Sequence, residues 1–232
     1  MKIEIWSDFS CPFCYIGKKR FEKALSEFKH KDEVEVVFKA YQLNPLAEKT
    51  IDVNAYETFA KSHQISIEET KKRFDNTVQS AKSVGLEFRY DIVQMTNTFD
   101  AHRLAKWANL LGLEQRLTDR LMKAYFTDGY NLADMETLVK LAVEVGLDEN
   151  SARKVLHENQ FTQDVRSEIN EAKRIGVQGV PFFVVNRKYG ISGAQQEDYF
   201  LAALNQIWDE DHPMISDEEA KTSYCTGDDC DL

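Results

Sequence analysis

The sequence predicts an α/β fold in which a small sheet domain is split by a large all-helical insertion. Three observations predict it: a strand–helix–strand pattern over residues 1–44, helical periodicity over 45–159, and a helix–strand–strand–helix pattern over 160–208. Removing the middle segment leaves one compact sheet unit, so that segment reads as the insertion. Residues 209–232 form an acidic C-terminal tail.

Residues 2–7 alternate apolar and polar through Ile3-Glu4-Ile5-Trp6, the period of a half-buried strand. From Pro12 to Lys29 the apolar positions Phe13, Ile16, Phe21, Ala24, Leu25 and Phe28 recur every three to four residues, which predicts an amphipathic helix. Glu33 to Tyr41 alternates again, with Val34, Val36 and Phe38 on one face, before Asn44-Pro45 closes the segment. A βαβ unit of this kind favours a parallel strand pair.

The insertion predicts helices near 54–62, 66–84, 98–111, 114–126, 134–145 and 151–158, punctuated by Gly85, Gly112, Gly129 and Gly146. Ser66 with Glu69 is a capping-box signature, and Gly146 after Val145 suits a helix C′ position. A further helix over 160–175 leads through Gly176-Val177-Gln178-Gly179 to Val180-Pro181 and the apolar strand Phe182-Phe183-Val184-Val185. Asn186-Arg187 turns this strand back into residues 188–192, and a last helix covers 196–208. Ser216 with Glu219 is a second capping-box signature, in the tail.

At 232 residues, 43% hydrophobic and 29% charged, the chain is long enough to bury a sizeable core. The net charge of −10 is concentrated in the tail, where nine acidic residues face one lysine. No Lys/Arg cluster of the kind that neutralises phosphates occurs, so a nucleic-acid partner is not expected. The first residues lack an apolar signal region and no stretch reaches membrane-span length, so the expected location is cytoplasmic, with no membrane association. There, tight cysteine pairs are catalytic or metal-binding rather than structural.

The four cysteines form two such pairs, Cys11/Cys14 and Cys225/Cys230. Cys11-Pro12-Phe13-Cys14 follows a strand and opens a helix, the context that redox chemistry requires. Unpaired N–H groups and the positive end of the helix there stabilise a thiolate at Cys11, and Pro12 suits the first turn because it has no N–H to leave unpaired. Cys11 is therefore the expected attacking thiol, and Cys14, one turn deeper, the more buried resolving thiol. A zinc half-site would need two further ligands nearby, so no metal is expected, and packed core cysteines would not mark a helix start. Gly179-Val180-Pro181 before an apolar strand is the second part of the constellation. A cis Val180–Pro181 bond facing Cys11 would offer the backbone of Val180 for strand-like pairing with a peptide substrate.

Asp8-Phe9-Ser10-Cys11-Pro12-Phe13-Cys14-Tyr15, Gly179-Val180-Pro181-Phe182-Phe183 and Ile191-Ser192-Gly193-Ala194-Gln195 resemble the DsbA-like thioredoxin family, specifically its FrnE-type branch. Asn97-Thr98-Phe99-Asp100-Ala101-His102-Arg103-Leu104 resembles the same branch. The resemblance spans most of the chain. It implies a thioredoxin fold with an inserted helical domain, and dithiol–disulfide exchange or isomerisation on protein substrates. No cofactor is implied beyond glutathione or another cellular thiol reductant as redox partner. Phe13 stands where periplasmic DsbA enzymes carry a histidine, and it can neither carry charge nor donate a hydrogen bond to the thiolate. A less oxidising pair is therefore expected, in a reductase or isomerase.

Cys225-Thr226-Gly227-Asp228-Asp229-Cys230 can close a small loop around its Gly-Asp turn. The resemblance implies an auxiliary redox pair there; a structural clip or a plain acidic tail are the alternatives. Asn97 and His102 fall on a segment that in the family faces the active site. The residues themselves suggest Thr98 or Asn97 as a helix cap, with His102 and Trp107 packing in the interface. The sequence names no acceptor for the proton of Cys14; Glu4 is a candidate only by lying on the first strand. Two other functional classes share these features. The 2-hydroxychromene-2-carboxylate isomerases and kappa-class glutathione transferases have the same architecture but typically carry serine at the reactive position, and a holdase would use the aromatic helical block. No signature assigns an oligomeric state.

Overall fold

The computed structural model describes residues 1–50 and 53–213. The Cys225/Cys230 pair and the Ser216/Glu219 capping box lie outside the described residues. The elements run β1 (Lys2–Ser7), α1 (Pro12–Glu27), β2 (Glu35–Ala40), α2 (Ala55–His63), α3 (Ile67–Lys82), α4 (Phe99–Leu110), α5 (Glu114–Phe126), α6 (Met135–Glu144), α7 (Glu149–His157), α8 (Thr162–Arg174), β3 (Phe182–Val185), β4 (Tyr189–Ser192) and α9 (Glu197–Asp211). This is a thioredoxin fold with a helical insertion between β2 and β3.

The sheet has the order β2-β1-β3-β4, with β1 parallel to β2, and β3 antiparallel to both β1 and β4. Ile5 pairs with Phe38 on one side and Phe183 on the other. On one face these residues, with Ile3, Val185 and Ile191, pack against Phe21 and Ala24 of α1 and Phe200, Leu204 and Ile207 of α9. Each such side chain contributes roughly 2 kcal/mol on leaving water. The opposite face is narrower: Trp6 and Val184 pack on Ala172 and Val177, and the Trp6 indole N–H donates to the Glu168 carbonyl at 3.0 Å.

The largest core belongs to the helical block, and it takes in Phe9, Cys11, Cys14, Tyr15 and Ile16 from the start of α1. The helices therefore close over the Cys-x-x-Cys end of the sheet unit. Buried Lys18 of α1 secures the contact, pairing with Glu22 and reaching Asp119 of α5 at 2.9 Å.

Local signals explain most boundaries. Ser66 accepts from Glu69 N–H at 3.0 Å, as the capping box requires, but Glu69 gives its carboxylate to Arg73 instead of closing the box. Gly146 holds φ +96 just past α6. The second strand starts at Glu35 rather than Glu33, because Lys31–Glu33 forms a 3-10 turn closed by Val34 N–H on Lys31 O. α7 starts at Glu149 rather than 151, since Asp148 caps it through Ser151 N–H at 2.8 Å. α9 runs on to Asp211, past the expected end at 208, so the first tail residues are helical.

Candidate active site

β1 ends at Ser7, and a short turn through Asp8, Phe9 and Ser10 delivers the chain to α1, with Cys11 N–H bonded to Asp8 O at 3.1 Å. Cys11 is the N-cap of α1: its Sγ accepts the Cys14 N–H at 3.3 Å, which satisfies one orphan donor and directs the helix end at the sulfur. Pro12 occupies the first helical position. Both cysteines are free thiols.

The Val180–Pro181 bond is cis, and the Val180 carbonyl lies 3.4 Å from the Cys11 Sγ. The expected juxtaposition is thus present, with the carbonyl of Val180 already turned to the sulfur. Gly17 permits it: a Cβ there would lie 3.1 Å from Pro181 Cγ and 3.2 Å from Ala194 Cα.

One expectation needs correction. Cys11, at 3% exposure, is as buried as Cys14, at 2%, because the helical block covers the start of α1. What lies open is Phe13, 47% exposed, on a groove of about 340 Å³ shared with Phe59, Arg73, Phe74 and Tyr90. Burial pushes the Cys14 thiol well up, and the adjacent Cys11 sulfur adds to this; the Ser7 hydroxyl and the Asp8 N–H, which face Cys14, act in the opposite sense. Burial likewise raises the Tyr90 phenol, with Cys11 among its neighbours.

Asp8 is the residue that sequence reasoning passed over. Fully buried, its carboxylate accepts from Thr98 Oγ1 at 2.7 Å, Leu43 N–H at 2.8 Å and Ser10 Oγ at 3.0 Å, and His102 Nε2 stands at 3.5 Å. Burial alone would raise this acid, but His102, Leu43 and Thr98 together hold it below the usual carboxylate range. The only sequence signal was an acid inside an apolar motif three positions before Cys11.

Thr98 is accordingly not a side-chain cap; its hydroxyl is committed to Asp8. Asn97 does the capping, accepting from Phe99 N–H at 2.9 Å while its amide donates to Pro45 and Ala47 carbonyls. His102 packs on Phe9 with ring centroids 4.6 Å apart. Glu4 is not available to Cys14: it is buried on the other sheet face in contact with Arg187 and Lys39. Among the described residues no group of three or more His, Cys, Asp or Glu is placed to hold a metal ion, and no helix is long and apolar enough to cross a membrane.

A dithiol at a helix start opposite a cis-proline, on this sheet, defines a thioredoxin-fold protein of the DsbA type. The chain belongs to the DSBA-like thioredoxin domain family, which residues 2–205 match. Among solved structures it is similar to a probable DsbA oxidoreductase of Streptomyces coelicolor, at 40% identity, TM-score 0.87 and 93% coverage of both chains. Among curated proteins it is 28% identical over 208 residues to the uncharacterised YwbO of Bacillus subtilis, covering 88% of this chain and 95% of that one. The cytosolic disulfide reductase DsbM of Pseudomonas aeruginosa shares the fold at 16% identity and TM-score 0.63, covering 90% of this chain and 100% of that one. That reductase has also been solved with glutathione.

Proposed function

We propose that this protein is a cytoplasmic thiol–disulfide oxidoreductase that reduces or isomerises protein disulfides through Cys11 and Cys14, with glutathione or another cellular thiol as electron source. The observation that carries this reading is the position of Cys11 Sγ, which accepts the Cys14 N–H at 3.3 Å and faces the Val180 carbonyl beside the cis-proline at 3.4 Å. The Cys11 thiolate attacks a substrate disulfide, giving a mixed disulfide and releasing one substrate thiolate. Cys14 then loses its proton and attacks the Cys11 sulfur. The second substrate thiolate leaves, and the pair ends as a Cys11–Cys14 disulfide. Two electrons from two thiol equivalents restore it. An isomerase releases the mixed disulfide to a different substrate thiol instead.

Three further points belong to this reading. Phe13 gives the thiolate no hydrogen bond, which supports a reducing rather than strongly oxidising pair. The FrnE-type resemblance supports Cys225/Cys230 as an auxiliary dithiol. The Pseudomonas reductase with glutathione supports glutathione as the donor.

The test is turnover of insulin or scrambled ribonuclease in a glutathione redox buffer. Wild type should be active, Cys11→Ser inactive, and Cys225→Ser/Cys230→Ser slower if the tail pair takes part. Glutathione-dependent activity that survives Cys11→Ser would instead assign a glutathione-dependent isomerase or transferase.

A further inference from the structure

Cys14 is buried and must surrender its proton within the fold, yet Glu4 is engaged elsewhere and Asp8 is saturated with donors. A second polar cluster lies on the other side of Ser7. A narrow cavity of about 20 Å³, room for a single water, is lined by Ser7, His102, Lys106, Glu114 and Thr118 together with Lys39 and apolar side chains. Two of the buried side-chain polar atoms left without a hydrogen bond among the described residues, Glu114 Oε1 and Thr118 Oγ1, belong to residues that line this one cavity, and His102, whose Nε2 stands 3.5 Å from Asp8, lines it too. Such a concentration is unusual, because buried polar atoms are paired in nine cases of ten or more, by rough survey. It is the environment that holds a bound water, which needs two to four polar partners, by common estimates.

We propose that a buried water at this position, with the Ser7 hydroxyl, connects Cys14 to Glu114, and that Glu114 is the proton acceptor for the resolving thiol. The inference rests on the oxidoreductase reading above. When Cys14 attacks the mixed disulfide, its thiol proton moves to the Ser7 oxygen as the Ser7 proton moves to the water and a water proton to Glu114. The Cys14–Cys11 bond forms, the Cys11–substrate bond breaks, and the substrate thiolate carries away the electron pair. The water and Ser7 are unchanged at the end, and Glu114 returns its proton to solvent.

Helical spacing assembles the site. His102 and Lys106 are one turn apart on α4, as are Glu114 and Thr118 on α5. The groups around Glu114 come from each packed element: Lys106 of α4 at 3.2 Å, Glu168 of α8, which shares that lysine at 3.1 Å, and the Phe38 N–H of β2, with Lys39 and Ser7 lining the same cavity at the strand ends. The Lys106 ammonium donates to Phe38 O at 2.6 Å and to Glu168, so Glu114 Oε1 has an ionic neighbour but no hydrogen bond. Burial, with the nearby Glu168, makes Glu114 a stronger base than an ordinary carboxylate, against the pull of Lys106 and of the Phe38 N–H. Asp8 is shifted the other way.

The test separates the two thiols. Full-length protein in a Cys225→Ser/Cys230→Ser background, with Cys11 and Cys14 as its only thiols, is mixed with an aromatic disulfide that releases a coloured thiolate. Attack by Cys11 gives a phase that depends on reagent concentration, and resolution by Cys14 gives one that does not. Glu114→Gln should slow the second phase about 10- to 100-fold near neutral pH and leave the first unaltered. Its second phase should then rise about tenfold per pH unit and converge on wild type in alkali, where hydroxide replaces the relay. Thr118→Val, which keeps the ionic contacts, should show the same pattern more weakly and serves if Glu114→Gln does not fold. A second phase unaltered in both rate and pH profile in the folded variants overturns the relay while leaving the oxidoreductase reading intact. Absence of the first phase in wild type overturns both.

Discussion

Asp8 joins three separate segments through one carboxylate: the turn before Cys11, the backbone at Leu43 and the start of α4 at Thr98. Replacing it with alanine leaves two of those donors, the Leu43 N–H and the Thr98 hydroxyl, without a charged acceptor in the interior. Asp8→Ala should therefore cost about 3 kcal/mol in urea unfolding at pH 7. Its pH dependence follows from the direction of its shift. The folded form holds Asp8 below its ordinary value of 3.8, so its contribution is complete above that value and disappears as pH falls through the lower folded one. The gap between wild type and Asp8→Ala should thus be constant from pH 5 to 7, by this linkage about the same at each step, and narrow in acid. A gap that widened in acid would contradict the assignment.

At the scale of elements, α1 and the strand that begins after Pro181 approach each other across Gly17. Gly17→Ala gains roughly 1 kcal/mol of helix propensity and loses a similar amount to the tight contacts with Pro181 and Ala194. Thermal stability should change little. Activity should fall several-fold, because the displaced Pro181 segment carries the Val180 carbonyl that faces Cys11, and insulin reduction beside a melting curve would show the split. Equal losses in both would mean that Gly17 serves packing alone.

At the scale of the molecule, Cys11 and Cys14 lie in the core of the helical block while being covalently part of the sheet unit. The two parts are further joined by Lys106 of α4, which donates to the Phe38 carbonyl of β2 at 2.6 Å and to Glu168 of α8 at 3.1 Å. Within the block Arg103, buried on α4, ties that helix to the end of α7 through the carbonyls of Val155, Leu156 and Gln160, and pairs with Asp100 at 2.6 Å. Unfolding should accordingly be one transition, with tryptophan fluorescence and far-ultraviolet circular dichroism coinciding in urea. Trp6 and Trp208 report on the sheet unit and Trp107 on α4, so a split transition would reveal independent parts. Arg103→Ala, which takes a buried donor from three carbonyls and leaves Asp100 with Lys49 as its ion-pair partner, should lower stability by about 1 to 3 kcal/mol.

The sequence by itself determined the element order, the parallel β1–β2 pair, the helix that begins at Cys11-Pro12 and the placement of Val180-Pro181 before β3. These depend on periodicity, caps and turns, which are interactions within a few residues. It missed by one or two residues wherever a local bond competed, as at the Lys31–Glu33 turn and the Asp148 cap. Only the tertiary structure decided that Cys11 is covered, that Glu4 belongs to Arg187 and Lys39, and that Thr98 serves Asp8 instead of its own helix. It alone brought Glu114, Thr118 and His102 to one cavity beside Ser7. The physical reason is separation along the chain: Thr98 and Asp8 are 90 positions apart, and no local pattern encodes which buried donor meets which acceptor once helices pack on a sheet.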